Sequence, residues 1–224
     1  MKPLATEMQD PYTLQELGRA SIQIVHDLKN QLNGLKLYAT FLRKRMEKSE
    51  RPEDERETLA KLIAGLERAA TDMTALVRYG RPLELRRQPH VALDKLLSSV
   101  EQPEEAGASV ELNIEAAGLA GEYDAAALTE ALQTITAGAL NLRRAADAPV
   151  SIHLLREQAT DAPAALIEWR NLKSNEHDVF RSFAGSDGLR LSLAAKIIEA
   201  HQGQVEQQAD MLRVRLPIQT GLGS

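Results

Sequence analysis

Apolar residues recur at helical spacing through residues 13–48, and this pattern constrains the fold more than any other feature of the sequence. Polar and charged residues fill the other faces, so the segment is predicted to be one long amphipathic helix. Pro52 ends a break at residues 49–52 and suits the first turn of a second helix. The two apolar stripes comprise Leu14, Leu17, Ile24, Val25, Leu28, Leu32, Leu35, Leu42 and Met46, and then Leu59, Leu62, Ile63, Leu66, Met73, Leu76 and Val77.

The two stripes predict an antiparallel helical hairpin within residues 1–80. Two helices of this length cannot enclose their own apolar surfaces, so the pattern favours a homodimer in which two hairpins form a four-helix bundle. Gly80 and Pro82 give the stop signal expected at the end of the second helix. Pro89 adds a further break, and residues 81–92 are therefore predicted to be a linker.

Residues 93–224 show a different pattern, in which helical segments alternate with short extended ones. The chain is therefore predicted to be an α+β protein, with the N-terminal hairpin followed by an α/β sandwich. The predicted helices are Leu93–Val100, Ala125–Arg144 and Leu189–His201. The predicted extended segments are Ser109–Glu115, Val150–Leu155, Ala165–Trp169 and Gln204–Leu216, the last of which turns at Ala209 and Asp210.

Composition narrows the classes of function. The formal net charge of −5 argues against a broad surface for nucleic acid or acidic membranes. The chain contains no Cys, which excludes disulfides and thiolate metal sites. No apolar run is long enough to span a bilayer, and the polar start of the chain lacks the apolar core of a signal peptide. A cytoplasmic location is therefore expected.

His26 lies in the first predicted helix, within Ser21-Ile-Gln-Ile-Val-His-Asp-Leu-Lys-Asn-Gln-Leu32. It is off the apolar stripe, so its side chain is expected to face solvent together with Asn30, one turn further on. The adjacent carboxylate of Asp27 favours one tautomer of the imidazole and makes the free nitrogen more nucleophilic. A lone histidine here would most simply be an exposed polar residue, but the His-Asp-x-x-Asn pattern favours a chemical role.

This segment resembles the phosphoacceptor box of sensor histidine kinases. In that family the histidine is phosphorylated on a ring nitrogen, and the adjacent carboxylate orients the ring. A polar residue four positions further on helps to hold water for receiver dephosphorylation. The resemblance implies these roles for His26, Asp27 and Asn30, and it extends along the chain from about Leu14 to Leu216.

The other motifs of that family can be placed in the family's order, which implies a second domain of the histidine kinase ATPase type. Segments similar to its interdomain linker, first helix, asparagine box, phenylalanine box and second glycine box are Val77–Arg86, Leu93–Leu97, Gly121–Leu142, Val179–Phe183 and Gly188–Gly203.

Two of the nucleotide-binding motifs have lost their characteristic residues. Thr134 and Gly138 occupy the asparagine positions, and neither supplies the amide oxygen that would bind Mg²⁺. Asn141 lies almost a full turn beyond Gly138, which displaces it along the helix axis. The family's adenine-binding motif, Asp-x-Gly-x-Gly, is replaced by residues 169–175, where Asn171 stands in a segment without Asp or Gly.

The second glycine box is also altered. Only Gly188 is kept of three glycines, and the long side chain of Arg190 is expected to obstruct a phosphate-binding turn. Residues 184–187 separate this turn from the phenylalanine box, which is too short for an ordered ATP lid. The joint loss of metal ligands, adenine carboxylate and phosphate glycines predicts little or no binding of ATP or Mg²⁺.

The resemblance therefore implies a two-component phosphorelay protein similar to histidine phosphotransferases built from a degenerate kinase core. It would be phosphorylated on His26 and exchange phosphoryl groups with receiver domains of response regulators, with an upstream sensor kinase as a further partner. One alternative is a divergent sensor histidine kinase that still uses ATP and Mg²⁺. Another is a receiver-binding scaffold or phosphatase, in which Asp27 and Asn30 position water and His26 is incidental.

No metal site is predicted elsewhere, because the other histidines show no metal-ligand spacing. Trp169 and Phe180 are expected to be aromatic residues of the core or of a remnant pocket rather than parts of a recognition surface. The histidines concerned are His90, His153, His177 and His201.

Overall fold

The computed structural model describes residues 11–46, 53–100, 110–145, 148–157, 163–174, 178–181 and 185–219. The side chains of residues 11–24, 26, 27, 45, 46, 53, 185 and 186 are outside this description. The chain divides into two units between Pro82 and Leu83.

The first unit is the predicted helical hairpin. Helix α1 spans Pro11–Met46 and helix α2 spans Glu53–Gly80, so both ends of both helices lie close to the predicted ones. The Lys36 ammonium lies 2.9 Å from the Glu67 carboxylate on the opposite helix. Both groups are solvent-exposed, so this pair contributes little to the free energy of unfolding.

Apolar packing holds the hairpin together near its tip. Ala39 of α1 packs with Leu59 and Ile63 of α2, and the partly buried Leu66 joins this cluster. Many larger apolar side chains of the hairpin are nevertheless exposed, which is more than two paired helices normally leave in water. The exposed set is Leu28, Leu35, Leu37, Tyr38, Phe41 and Leu42 on α1 and Leu62 and Leu76 on α2.

Within its described residues, the second unit contains three helices and two sheets, in agreement with the predicted α+β class. One sheet pairs β1 with β3, and the other has five strands in the order β2-β4-β5-β7-β6. Only β2 and β4 pair in parallel, and the other neighbours are antiparallel. The strands are Gln88–Ala92, Val110–Ile114, Ala120–Tyr123, Val150–Glu157, Ala164–Arg170, Gln204–Gln208 and Met211–Pro217, and helices α3 to α5 are Leu93–Ser98, Ala125–Asn141 and Gly185–Ala200.

Strand β1 lies within residues 81–92, which the sequence predicted to be a linker. Val91 and Ala92 pair with Gly121 and Ala120 of β3, and a bulge separates this pairing from the one at Gln88. Because Pro89 has no N–H to donate, the strand cannot keep a regular ladder there. The break that the prolines signalled is thus local, and the chain pairs on both sides of it.

The core of the second unit lies on one face of the five-stranded sheet. Alternate residues of the central strands, including Ile152, Ile167 and Val214, are fully buried, as expected for strands with one face covered. The buried Trp169 indole N–H donates a 2.8 Å hydrogen bond to the Thr136 hydroxyl of α4. Trp169 and Phe180 are both buried, so they belong to the core.

The opposite face of this sheet carries a buried charge. The Glu168 carboxylate is 5% exposed and accepts hydrogen bonds from Arg170 Nε at 2.9 Å and from Arg213 Nε at 2.8 Å. Burial raises the pKa of the Glu168 carboxyl, but the hydrogen bonds and charges of the two guanidinium groups outweigh burial and hold this pKa below its usual value. The carboxylate is therefore ionised at neutral pH.

Helix α5 begins four residues earlier than the sequence predicted. Residues 185–188, which the sequence placed before this helix, form its first turn. Asp187 in the first turn favours the helix, because a carboxylate there interacts well with the helix dipole.

Candidate functional site

Helix α1 carries the three predicted phosphoacceptor residues. His26 and Asp27 lie within the helix, but their side chains are outside the described part of the structure. Asn30 is exposed one turn further on. Asn33 and Leu37, about two and three turns after His26, are exposed as well, and the helical repeat places both on the same face as His26.

The side of α1 that packs on α2 is a different one. Ala39 is buried in the hairpin, and Val25 and Leu32 on the same side are half-buried. A rotation of about 100° per residue places this buried side well away from the position of His26. The position of His26 therefore belongs to a face that a second protein can approach.

Some residues of the altered nucleotide-binding motifs lie close together in the second unit. A cleft of about 250 Å³ lies between α4 and α5. Thr134, Gly138 and Arg190 line it, together with Asn141, so the structure brings together three of the five remnant positions. Asn171 and Gly188 do not line the cleft. A cleft of this volume is below the usual range of small-molecule sites.

Leu191 occupies the space beside Gly138. A Cβ atom built on residue 138 would lie 2.8 Å from the Leu191 Cδ2 atom, closer than side-chain contacts allow. Leu191 is itself buried in the packing of α5 against α4. An asparagine at 138, as the resemblance would require, cannot fit unless the Leu191 side chain moves.

Three polar side chains of the cleft, those of Asn141, Asp187 and Thr134, bond to one another or to their own helix. The Asn141 amide donates a 3.1 Å hydrogen bond to the Asp187 carboxylate, which joins the end of α4 to the start of α5. The Thr134 hydroxyl donates to the Glu130 carbonyl, one turn back in α4, at 2.9 Å. These contacts are internal to the protein and give no separate oxygen shell for a metal ion.

Asn171, which the resemblance would align with an adenine carboxylate, follows the end of β5. Its backbone is left-handed, with φ of 70°, a conformation that asparagine tolerates better than most residues. Its amide donates weak 3.4 Å hydrogen bonds to the Pro149 carbonyl and the Ser151 hydroxyl. A neutral amide held in this way does not replace a carboxylate that accepts from an adenine amino group.

Two backbone hydrogen bonds join residues 171–173 to the residues that follow α4. The Lys173 N–H donates to the Leu142 carbonyl at 2.7 Å, and the Arg144 N–H donates to the Asn171 carbonyl at 3.1 Å. Leu172, between them, is buried. The segment expected to border a nucleotide therefore packs on the protein itself.

The electrostatic character of the cleft also opposes a nucleotide. Glu130 and Asp187 contribute two carboxylates to its lining, against the single cation of Arg190. No cluster of three or more metal-ligating His, Asp or Glu side chains occurs within the described residues. A triphosphate carries several negative charges and needs cations or N–H groups around it. The residues present thus do not fit ATP with Mg²⁺.

Sequence reasoning missed Glu130, Asp187 and Leu191 as parts of this cleft. Glu130 could have been found, because it lies one helical turn before Thr134 on the same face of α4. Asp187 and Leu191 could not, because their positions depend on helix α5 starting at Gly185. The sequence had placed this segment in a turn.

Solved structures with the same architecture identify the fold. Full-length ShkA in complex with AMPPNP superposes on 89% of this chain with a TM-score of 0.67 and 17% sequence identity. The Acinetobacter baumannii histidine kinase AdeS superposes on 87% of it with a TM-score of 0.56 and 16% identity. The fold is that of a histidine kinase core. This histidine-kinase-like chain spans 45% of the length of ShkA and 98% of that of the AdeS structure.

Comparison of the sequence with models of known protein families gave no match, and neither did comparison with curated proteins. Among the described residues, no helix combines the length and the apolar character needed to cross a bilayer.

Proposed function

We propose that this chain is a two-component phosphorelay protein that carries a phosphoryl group on His26 and has lost ATP-dependent kinase activity. One observation carries the proposal: in a histidine kinase fold, Leu191 packs against Gly138 in the space where the asparagine box would place a metal-binding side chain. A chain that keeps the His-Asp-x-x-Asn sequence on an accessible helix face but lacks this site is suited to receive phosphoryl groups from another protein.

The proposed reaction is a transfer between an aspartyl phosphate and an imidazole. The unprotonated ring nitrogen of His26 attacks the phosphorus atom of a receiver's aspartyl phosphate. The N–P bond forms as the P–O bond to the receiver breaks, and the aspartate leaves as a carboxylate. Asp27 is proposed to orient the ring and stabilise its positive charge. Reversal of the same step on a second receiver completes the relay.

The exposed apolar residues on the His26 face support a docking partner. Leu37 is 63% exposed and Phe41 is 72% exposed, and both lie toward the hairpin tip from His26. Phenylalanine and leucine at an exposed helix face are typical anchors of protein interfaces. We assign this face to receiver domains of response regulators, and an upstream sensor kinase is the proposed source of the phosphoryl group.

A second exposed stripe supports the proposed homodimer. Leu28, Leu35 and Leu42 are spaced by seven residues and lie on one side of α1, away from Leu37. Exposed leucines at this spacing suit the seam of a four-helix bundle. We therefore expect Leu35→Arg to convert a dimer into monomers in light scattering, whereas Leu37→Arg, a matched change on the opposite side, leaves the dimer intact.

Phosphoryl transfer to His26 is tested with a purified receiver domain that has been phosphorylated by labelled acetyl phosphate. The wild-type protein is expected to acquire label that is acid-labile and base-stable, without added nucleotide. His26→Ala is expected to acquire none, and His90→Ala, at an exposed histidine of the second unit, serves as the control. Labelling of His26→Ala at the wild-type rate would reject the mechanism.

The two alternative functions, an active kinase and a receiver phosphatase or scaffold, predict different results with the same purified proteins. A divergent kinase would bind ATP and Mg²⁺ in calorimetry and would label His26 from ATP. A receiver phosphatase or scaffold would accelerate dephosphorylation of the receiver, or bind it, in the His26→Ala variant. The relay is expected to operate in the cytoplasm, a proposal that the absence of cysteine supports.

A further inference from the structure

The segment that follows the hairpin is tied to the second unit by two hydrogen bonds. Residues 83–87 form neither helix nor strand. Within them, the Arg86 N–H donates to the Asp124 carboxylate at 2.8 Å, and the Arg87 guanidinium donates to the Ala200 carbonyl at 2.5 Å. Segments without regular structure usually turn their polar backbone toward water, so these two bonds set this one apart.

Asp124 is a firm attachment point because its carboxylate has two partners. One oxygen accepts from Arg86, and the other accepts from the Ala127 N–H at 3.0 Å and caps the start of α4. These backbone hydrogen bonds hold the pKa of the Asp124 carboxyl below its usual value, the one from Ala127 more than the one from Arg86. The carboxylate is therefore charged over the neutral range and bonds strongly to both groups.

The second attachment point lies at the end of α5. The Ala200 carbonyl is one of the last carbonyls of the helix, which have no partner within the helix, and a guanidinium placed there also interacts well with the helix dipole. The next residue, His201, is buried and connects the two points. Its Nε2 accepts from the Asp124 N–H at 3.0 Å, and its Nδ1 donates to the Ile197 carbonyl at 2.8 Å.

We propose that Arg86, Arg87, Asp124 and His201 form a linker clasp that makes residues 83–88 a rigid part of the second unit. Flexing between the hairpin and the second unit is then confined to residues 81 and 82, which follow the end of α2 at Gly80. This inference goes beyond the relay function and holds whether or not His26 accepts a phosphoryl group.

The clasp would control how far the second unit can travel. The two residues between α2 and the clasp extend over at most about 7 Å, whereas the seven residues 81–87 would extend over about 23–25 Å if the clasp opened. A short pivot restricts the range of orientations that the second unit can sample about the end of the hairpin. The clasp is therefore a positioning device for the second unit.

The clasp is tested by nuclear magnetic resonance on the full-length chain. Arg86→Pro removes the donor N–H, and Arg87→Ala removes the guanidinium. Arg86→Ala is the matched control, because the clasp uses only the backbone of residue 86. In the wild-type protein and in Arg86→Ala, the amides of residues 83–88 are expected to have order parameters near those of the strands, about 0.85. In Arg86→Pro and Arg87→Ala they are expected to fall below about 0.6.

The reach of the second unit is measured by spin labels, which the absence of native cysteine makes straightforward. Labels at Thr71→Cys and Glu122→Cys, in protein mixed with excess unlabelled chain, report the distance between the two units. The distance distribution is expected to broaden in Arg87→Ala and to stay narrow in Arg86→Ala. Mobile residues 83–88 in the wild-type protein, or equal distributions in the two variants, would overturn the proposal.

Discussion

The side chain of Leu191 lies against Gly138 so closely that residue 138 has no room for a side chain. Helix α5 is thereby packed directly on α4 at the position where the resemblance to histidine kinases would place a metal-binding asparagine. Glycine at this position leaves the space that the Leu191 side chain occupies in the packing of the two helices.

Restoring the asparagine is expected to destabilise the protein without restoring ATP binding. Gly138→Asn inserts a side chain into a filled space, and overpacking of this kind typically costs about 1–3 kcal/mol. Urea denaturation measures the loss, and calorimetry with ATP and Mg²⁺ should show no heat of binding. Ala137→Asn, at the exposed neighbouring position, is the control and should cost less than about 1 kcal/mol. Micromolar ATP binding by Gly138→Asn would contradict this account.

The buried hydrogen bond between Trp169 and Thr136 is expected to contribute to the free energy of unfolding. Thr136→Val keeps the shape of the side chain but leaves the buried indole N–H without its acceptor, which is expected to cost about 1–3 kcal/mol. Thr134→Val is the matched control, because its hydroxyl bonds only to a carbonyl of its own helix. Urea denaturation should therefore separate the two variants, and equal midpoints would show that the indole finds another partner.

Glu168 is expected to contribute to stability through its two arginine partners. Glu168→Gln removes the charge while keeping the size, and loss of charge-assisted hydrogen bonds at this buried position should cost about 1–3 kcal/mol. Glu206→Gln, whose carboxylate lies 3.7 Å from the Arg213 guanidinium and is largely exposed, should change stability by about 0.5 kcal/mol or less. Guanidinium chloride denaturation of the two variants at pH 7 makes the comparison.

The buried His201 predicts how stability depends on pH. Burial lowers the pKa of the His201 imidazole, and the nearby Arg87 charge adds to this, while the Ile197 carbonyl and the Asp124 carboxylate oppose it. The unfolded chain, with its ordinary pKa near 6.5, therefore binds this proton first as the pH falls. The contribution of His201 to the free energy of unfolding is therefore fully present above about pH 6.5. It decreases below that pH by up to about 1.4 kcal/mol per pH unit.

Urea midpoints between pH 7.5 and 5.5 test this dependence on His201. His201→Asn is expected to lose the slope, since it cannot take up the proton, although it will be less stable at every pH. His90→Ala, at an exposed histidine, should keep the wild-type slope. The expectation fails if His201→Asn shows the same slope as the wild-type protein.

Local periodicity was sufficient to predict the hairpin. The stripes from Leu14 to Met46 and from Leu59 to Val77 determine two helices, because a helix repeats every 3.6 residues whatever packs against it. Strands β4, β5, β6 and β7 were placed for a similar reason, since alternation of buried and exposed residues is also local. The face that carries His26 and Asn30 could be assigned from spacing alone.

The sequence by itself thus determined the two helices, most of the strands and the phosphoacceptor segment, all of which depend on neighbours within a few residues. Tertiary structure decided the start of α5 at Gly185, the cleft between Glu130 and Asp187, and the ties of Arg86 and Arg87 to Asp124 and Ala200. These features join residues that are far apart in the chain. Their energies depend on packing and hydrogen bonds that no local pattern of the sequence records.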